Sequence, residues 1–165
     1  MPTPHYDTLM NATKPKRKRK RRVKEPLTDE LLGELLSAPD PAKFASKHKL
    51  SKRVLSEYLQ QLLAEKNLVQ SKVINASGVQ YTYGYQIFTG SRANPDRNVL
   101  LQILFAMNCT LKEANRALQA AGKNELYCKN RRDAIIIFCL EHGYTLQEVD
   151  QALFDYGEQT VSGAS

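Results

Sequence analysis

Shifted by 35 residues, the segment from Arg97 to Gly122 lies on the segment from Arg132 to Gly157. Arg97 meets Arg132, Leu101 meets Ile136, Thr110 meets Thr145, and Leu111 meets Leu146. Glu113 meets Glu148, Asn115 meets Asp150, Ala117 meets Ala152, and Leu118 meets Leu153. In each copy a Thr stands three residues before a Glu, the spacing of a capping box that opens a helix, and a Gly closes it. The unit is therefore a helical hairpin copied once. Two copies are fewer than the roughly three that a stacked solenoid needs. The second copy is expected to extend the core of the first.

Helical periodicity runs through the rest of the chain. Leu31, Leu32, Leu35 and Leu36 form a stripe after Thr28, a candidate N-cap, and Pro39 and Pro41 are expected to end that helix. A short helix is expected over 42–48, anchored by Phe44. Ser51 is expected to cap a helix reaching about Lys66, with Val54, Leu55, Tyr58, Leu59, Leu62 and Leu63 inward. Asp96 is expected to cap a helix to Met107. Residues 123–129 read as irregular, and Asn130 opens the second copy. No strand pattern competes, so the fold class is all-α. The expected domains are an arm over 1–26, a lead-in over 27–50, a central domain over 51–122, a hairpin over 123–158 and a frayed tail over 159–165.

Charge is uneven. Of 24 basic and 17 acidic residues, residues 1–26 hold nine basic (Lys14, Lys16, Arg17, Lys18, Arg19, Lys20, Arg21, Arg22, Lys24) and two acidic, 9 − 2 = +7. Such a block repels itself and reads as a disordered arm that binds polyanions non-specifically. The rest of the chain balances at 15 − 15 = 0. Within it, residues 51–108 carry 6 − 3 = +3 and residues 109–165 carry 6 − 8 = −2.

On the more basic side lies the stretch from Gln70 to Pro95. It reads as helices near 70–77 and 80–88, joined at Gly78 and followed by a Gly-Ser-Arg loop. That is the layout of a helix-turn-helix, which places its second helix in a DNA groove. Gly78 supplies the positive φ of the turn. Val73, Val79 and Ile87 are expected to lock the helices together. Gln80, Tyr81, Thr82, Tyr85 and Gln86 are then free to meet base edges, where Gln can pair with adenine and a Thr methyl can touch thymine. Gln70, Arg92 and Asn94 are placed to hold phosphates. Three positions depart from the usual pattern: Ile74 replaces a small residue, Ser77 an apolar one, and Gly84 an apolar contact.

Residues 51 to about 121 resemble the lambda-repressor-like (Xre/Cro) helix-turn-helix domain of bacterial regulators. The resemblance rests on Gln70, Gly78-Val79, Ile87, Gly90-Ser91-Arg92, Pro95 and Thr110-Leu111-x-Glu113. A narrower likeness over 27–158 rests on Tyr83 to Phe88 and Arg131 to Ile137. It implies a five-helix DNA-binding fold with a C-terminal helical extension. It maps base contacts to Gln80, Tyr81, Thr82, Tyr85 and Gln86, and phosphate contacts to Gln70 and Arg92.

No catalytic constellation or phosphate-binding Gly loop is visible. Cys109, Cys128 and Cys139 read as reduced thiols. No fourth ligand joins Cys128, Cys139 and His142, so no metal and no cofactor are expected. No apolar run approaches the ~18 residues of a membrane span, and no export signal is read. The expectation is a cytoplasmic, non-enzymatic regulator of double-stranded DNA. A homodimer is expected, because operators tend to be two-fold, with the acidic second copy as its surface. The alternative is a protein-interaction module in bacterial signalling whose helix-turn-helix is vestigial.

Overall fold

The computed structural model describes residues 28–48 and 54–163, and the described residues fold into nine helices and no strands. The basic arm, the Thr28 side chain and Ser51 lie outside the described residues. The chain divides into two compact units, residues 1–50 and 51–165.

In the first unit, α1 (Thr28–Ser37) packs on α2 (Pro41–Lys47). Pro41 begins α2 instead of ending α1. It sits in the first turn, where its missing N–H costs nothing, and Asp40 caps the helix by accepting from the Ala42 amide at 2.9 Å. Phe44 is buried as expected, while Leu32, Leu35 and Leu36 are exposed. Glu34 joins the two helices, with its carboxylate 2.7 Å from His48 Nε2 and 3.3 Å from Lys47 Nζ.

In the second unit, α3 (Leu55–Lys66) starts later than the sequence suggests. Its N-cap is Val54, in extended backbone without a side-chain cap, so Ser51 precedes the helix and Val54 points outward. The other stripe residues of α3, from Leu55 to Leu63, are buried. Asn67, with φ of 55°, turns the chain into α4 (Gln70–Ser77), followed by α5 (Tyr81–Thr89). Next come α6 (Arg97–Ala106) and α7 (Leu111–Ala120). Helix α4 packs on α5 and α6, α3 on α5 and α7. The core they enclose includes Leu59, Leu62, Ile74, Ile87, Leu100, Leu104 and Leu118. Each such side chain removed from water contributes about 1.5–3 kcal/mol before entropy is counted.

The second copy is α8 (Arg131–Glu141) and α9 (Leu146–Asp155). The repeat seen in the letters is a repeat of hydrogen bonds. Arg97 donates to the carbonyls of Asn124 and Glu125, and Arg132 to those of Gln159 and Thr160, 35 residues on. The Leu126 amide donates to Asn115 Oδ1 at 2.8 Å, and the Val161 amide to Asp150 Oδ1 at 2.6 Å. Both capping boxes form, at Thr110 with Glu113 and at Thr145 with Glu148. The copies also meet reciprocally. Arg97 grips Asp133 with two bonds of 3.1 Å, and Arg132 reaches back to Asn98 at 2.9 Å. Helix α6 packs on α9 and α7 on α8. Reciprocity of this kind is the mark of a two-fold pairing, here made inside one chain. Burial, and then the nearby Arg97 charge, pull the Arg132 guanidinium below its usual range.

The tail departs from expectation in part. Val161 is buried and its amide is held by Asp150, so the chain is tied down past residue 159 instead of fraying there. The reason is the repeat itself: Val161 fills in the second copy the place that Leu126 fills in the first. No described helix is long and apolar enough to cross a membrane.

Candidate nucleic-acid interface

The turn between α4 and α5 is built by three residues. Gly78 takes φ of 71°, a left-handed conformation that side chains strain to adopt. Ser77, in the place of an apolar residue, is fully buried. Its hydroxyl donates to the Ile74 carbonyl at 2.6 Å and accepts from the Val79 amide at 3.2 Å. A buried hydroxyl satisfied on both sides does not incur the cost of a lost hydrogen bond.

The other two departures compensate each other. A Cβ added at Gly84 would stand 2.7 Å from Ile74 Cγ2. Ile74 is fully buried, so it has nowhere to move. The small residue expected on the first helix has been exchanged for a small residue on the second. The close approach outweighs the roughly 1 kcal/mol of helix propensity that Gly gives up to Ala.

That contact fixes how α5 is turned. Gly84, Ile87 and Phe88 are buried, together with Val73 of α4, while Val79 is half-buried. Gln80, Tyr81, Thr82 and Tyr85 are exposed. These four share one side of the first turn and a half of α5. Gln80 is the N-cap itself and makes no side-chain capping bond. Helix α5 contains no charged residue.

Arg92 lies in the loop after α5, where Gly90, at φ of 91°, reverses the chain. Its backbone amide donates to the Gln86 carbonyl at 3.1 Å. Its guanidinium sits 4.3 Å over the Tyr83 ring and donates from Nε to Gln86 Oε1 at 3.4 Å. The cation thus rests on an aromatic face at the negative end of the α5 dipole. Gln86 is half-buried with its amide oxygen occupied by Arg92, which leaves its NH2 as the group able to reach outward. Tyr83 was not among the residues expected at the site. Its hydroxyl accepts from the Asp96 amide at 3.2 Å, so it braces the loop as well as Arg92. Its place between Tyr81 and Tyr85 gave no signal of that, because alternate positions of a helix fall on different sides.

Gln70 and Asn94 are engaged within the protein. Gln60 Nε2 donates to Gln70 Oε1 at 2.9 Å and to the Phe88 carbonyl at 3.2 Å, joining α3, α4 and the end of α5. Asn94, with its amide nitrogen turned toward carbonyls, donates to Ala121 at 3.1 Å and Ala93 at 3.2 Å, anchoring the loop to the end of α7. The structure therefore leaves Gln80, Tyr81, Thr82 and Tyr85 exposed beside the linked pair Gln86 and Arg92, and engages Gln70 and Asn94 in hydrogen bonds within the protein. The arm residues Lys14 to Lys24 lie outside the described residues.

Elsewhere, chemistry-bearing groups are put to structural use. Arg97, Arg131, Arg132, Asp133 and Glu158 line a polar cleft. Arg97 and Arg132 are held as described, and Arg131 is held by the Tyr156 carbonyl and Glu158. Cys109 and Cys139 are buried, and burial pushes their thiols up to about 12 and about 11. Among the described residues no three His, Cys, Asp or Glu side chains converge on a point that would hold a metal ion. No protein-family model, curated protein or solved structure matches this chain.

Proposed function

We propose that the chain is a DNA-binding transcriptional regulator of the lambda-repressor-like kind, with α4 and α5 as its helix-turn-helix. The observation that carries this reading is the sorting of α5. Its apolar residues and Gly84 are buried, and Gln80, Tyr81, Thr82 and Tyr85 are left exposed together at its start. Recognition helices read base edges from that end. Gln80 and Gln86 supply amides for adenine, Thr82 a methyl for thymine, and Arg92 a cation for phosphate. Because α5 is uncharged, the basic arm supplies the sequence-independent, salt-sensitive share of the affinity.

A second reading is favoured by the same missing charge: a tyrosine-rich, uncharged helix also suits contact with a protein. Fluorescence anisotropy with genomic fragments separates the two, using the full chain and a form lacking residues 1–26. DNA reading requires that the shortened form still bind at low salt with preference among fragments. Gln80→Ala and Gln86→Ala should change which fragments are preferred. Equal weakening on every fragment, or no binding once the arm is removed, rejects base reading.

A further inference from the structure

The reciprocal contact between the two copies is not symmetric in charge. Position 98 in the first copy is the counterpart of position 133 in the second. Arg97 therefore meets a carboxylate, Asp133, whereas Arg132 meets a neutral amide, Asn98. The other bonds of Arg132 go to the carbonyls of Gln159 and Thr160. Among the described residues no carboxylate lies within ion-pair distance of it. Those of Asp133, Glu158 and Asp150 act from further off, and they favour the cation less than burial and the Arg97 charge disfavour it. Arg132 is thus a half-buried cation beside a second cation, without the close counter-charge that such groups ordinarily need. Its Nε and Nη2 are engaged, and its Nη1 has no partner among the described residues.

Arg132 lines the polar cleft of about 470 Å³ together with Arg97 and Arg131. Arg131 uses Nη2 on the Tyr156 carbonyl and directs Nε to Glu158 at 3.5 Å, and its Nη1 is likewise without a partner among the described residues. Asn130, also on the cleft, accepts from the Asp133 amide through Oδ1 at 3.0 Å, which leaves its NH2 free to donate. No apolar side chain lines the cleft, and its three guanidiniums and two carboxylates sum to 3 − 2 = +1. We propose that this cleft binds the phosphate group of a small phosphorylated ligand, with Arg131 and Arg132 as its principal contacts. Guanidinium forks match phosphate oxygens in geometry and charge. A carboxylate brings two oxygens, whereas a phosphate monoester brings three and a charge of about −1.5 to −2 at pH 7. The unused donors of Arg131, Arg132 and Asn130 stand on three side chains, one for each oxygen. The volume lies in the range of small-molecule sites, roughly 300–1,000 Å³. The ligand stands to Arg132 as Asp133 stands to Arg97. Because Arg97 belongs to the first copy and Arg131 and Arg132 to the second, the bound ligand also ties the two hairpins together.

Inorganic phosphate titrated into the full chain at fixed ionic strength should shift the side-chain N–H signals of Arg131 and Arg132 in NMR spectra to saturation. Sodium chloride at the same ionic strength should not. Asn98→Asp places a carboxylate opposite Arg132 at nearly unchanged size. It should weaken phosphate binding about tenfold, the scale of one charge-assisted hydrogen bond, and raise the melting temperature, which separates loss of binding from loss of fold. Arg131→Ala, at a side chain that is 69% exposed, should weaken phosphate binding as well without unfolding the chain. The basic arm also attracts anions, but phosphate held there is indifferent to both variants. Unchanged phosphate affinity in both therefore overturns the proposal, as do Arg131 and Arg132 signals that never saturate. The competing source of phosphate is DNA, because the Asp96 amide braced by Tyr83 lies one residue before Arg97. Fluorescence anisotropy with DNA fragments decides between the two. Unchanged DNA affinity in Arg131→Ala supports a small ligand. A loss of DNA affinity that matches the loss of phosphate affinity assigns the contacts to the DNA backbone and overturns it.

Discussion

The hairpins α6–α7 and α8–α9 have the same backbone bonds and opposite surroundings. In each, an Arg at the start of the first helix clamps the two carbonyls that follow the second. In each, an Asn or Asp on the second helix receives an amide from the returning chain. The first hairpin is covered by α3 and α4 on one side and by the second hairpin on the other. The comparison teaches that the hydrogen-bonded frame sets the shape of a hairpin, while burial is decided by what stands beside it.

Three experiments can break or sharpen that comparison. The largest effect is expected from removing a leucine that both copies bury. Leu118→Ala should cost about 4 kcal/mol and Leu153→Ala about 3 kcal/mol in urea unfolding, since both open a cavity. Leu118 lies on a helix packed against α3, α6 and α8, so its cavity can collapse less. Equal costs would mean that the extra layer over the first hairpin adds no rigidity.

The clamps come next. Arg97 is paired with the buried carboxylate of Asp133, whereas its counterpart Arg132 donates to carbonyls and an amide. Arg97→Ala should cost about 3 kcal/mol by leaving Asp133 without its cation. Arg132→Ala should cost about 1.5 kcal/mol, the low end for hydrogen bonds from a charged donor to neutral acceptors. Arg97→Lys should rescue little, because an ammonium cannot make the two-pronged contact. Matching costs for the two alanine variants would show that the ion pair contributes nothing beyond its hydrogen bonds.

The last effect is nil at neutral pH and appears only in the alkaline range. Burial raises Cys109 from the ordinary 9.0 to about 12 and Cys139 to about 11. A raised thiol pKa means that the folded chain keeps its proton where the unfolded chain has lost it. The stabilisation is complete below pH 9 and is lost as pH rises toward 11 for Cys139 and 12 for Cys109. In that window each thiol contributes a slope of up to about 1.4 kcal/mol per pH unit. Cys109→Ala should flatten the fall over the wider range and Cys139→Ala over the narrower one, measured as unfolding free energy against pH. At pH 8 the exposed Cys128 should react with a thiol reagent well before either. Fast labelling of Cys109 would mean that the first hairpin opens more readily than its burial implies.

Much of the fold was legible because its signals are local. The capping boxes at Thr110 and Thr145, the cap at Asp96 and the left-handed Gly78 each depend on a few consecutive residues, and each formed where the letters placed it. Local signals failed where they competed. Pro41 can end one helix or begin the next, and Asp40 settled the matter by capping α2. Ser51 offered a cap, but the chain entered α3 through the extended backbone of Val54. At the candidate site the same division holds. The sequence marked α4, α5 and the residues between Gln80 and Gln86. It did not reveal that Ile74 and Gly84 are one contact, that Gln60 ties up Gln70, or that Arg92 rests on Tyr83.

By itself, then, the sequence determined the all-helical class, the helix ends marked by a capping box or a left-handed Gly, and the existence of a copied hairpin, since these follow from periodicity, caps and repetition along the chain. The tertiary structure alone decided that the copies meet reciprocally through Arg97 and Asp133 and through Arg132 and Asn98. It alone decided that α5 turns Gly84 inward and its tyrosines and glutamines outward, and that one hairpin is covered where the other is bare. Those are contacts between residues far apart along the chain, and no local preference encodes which side chain will stand beside which.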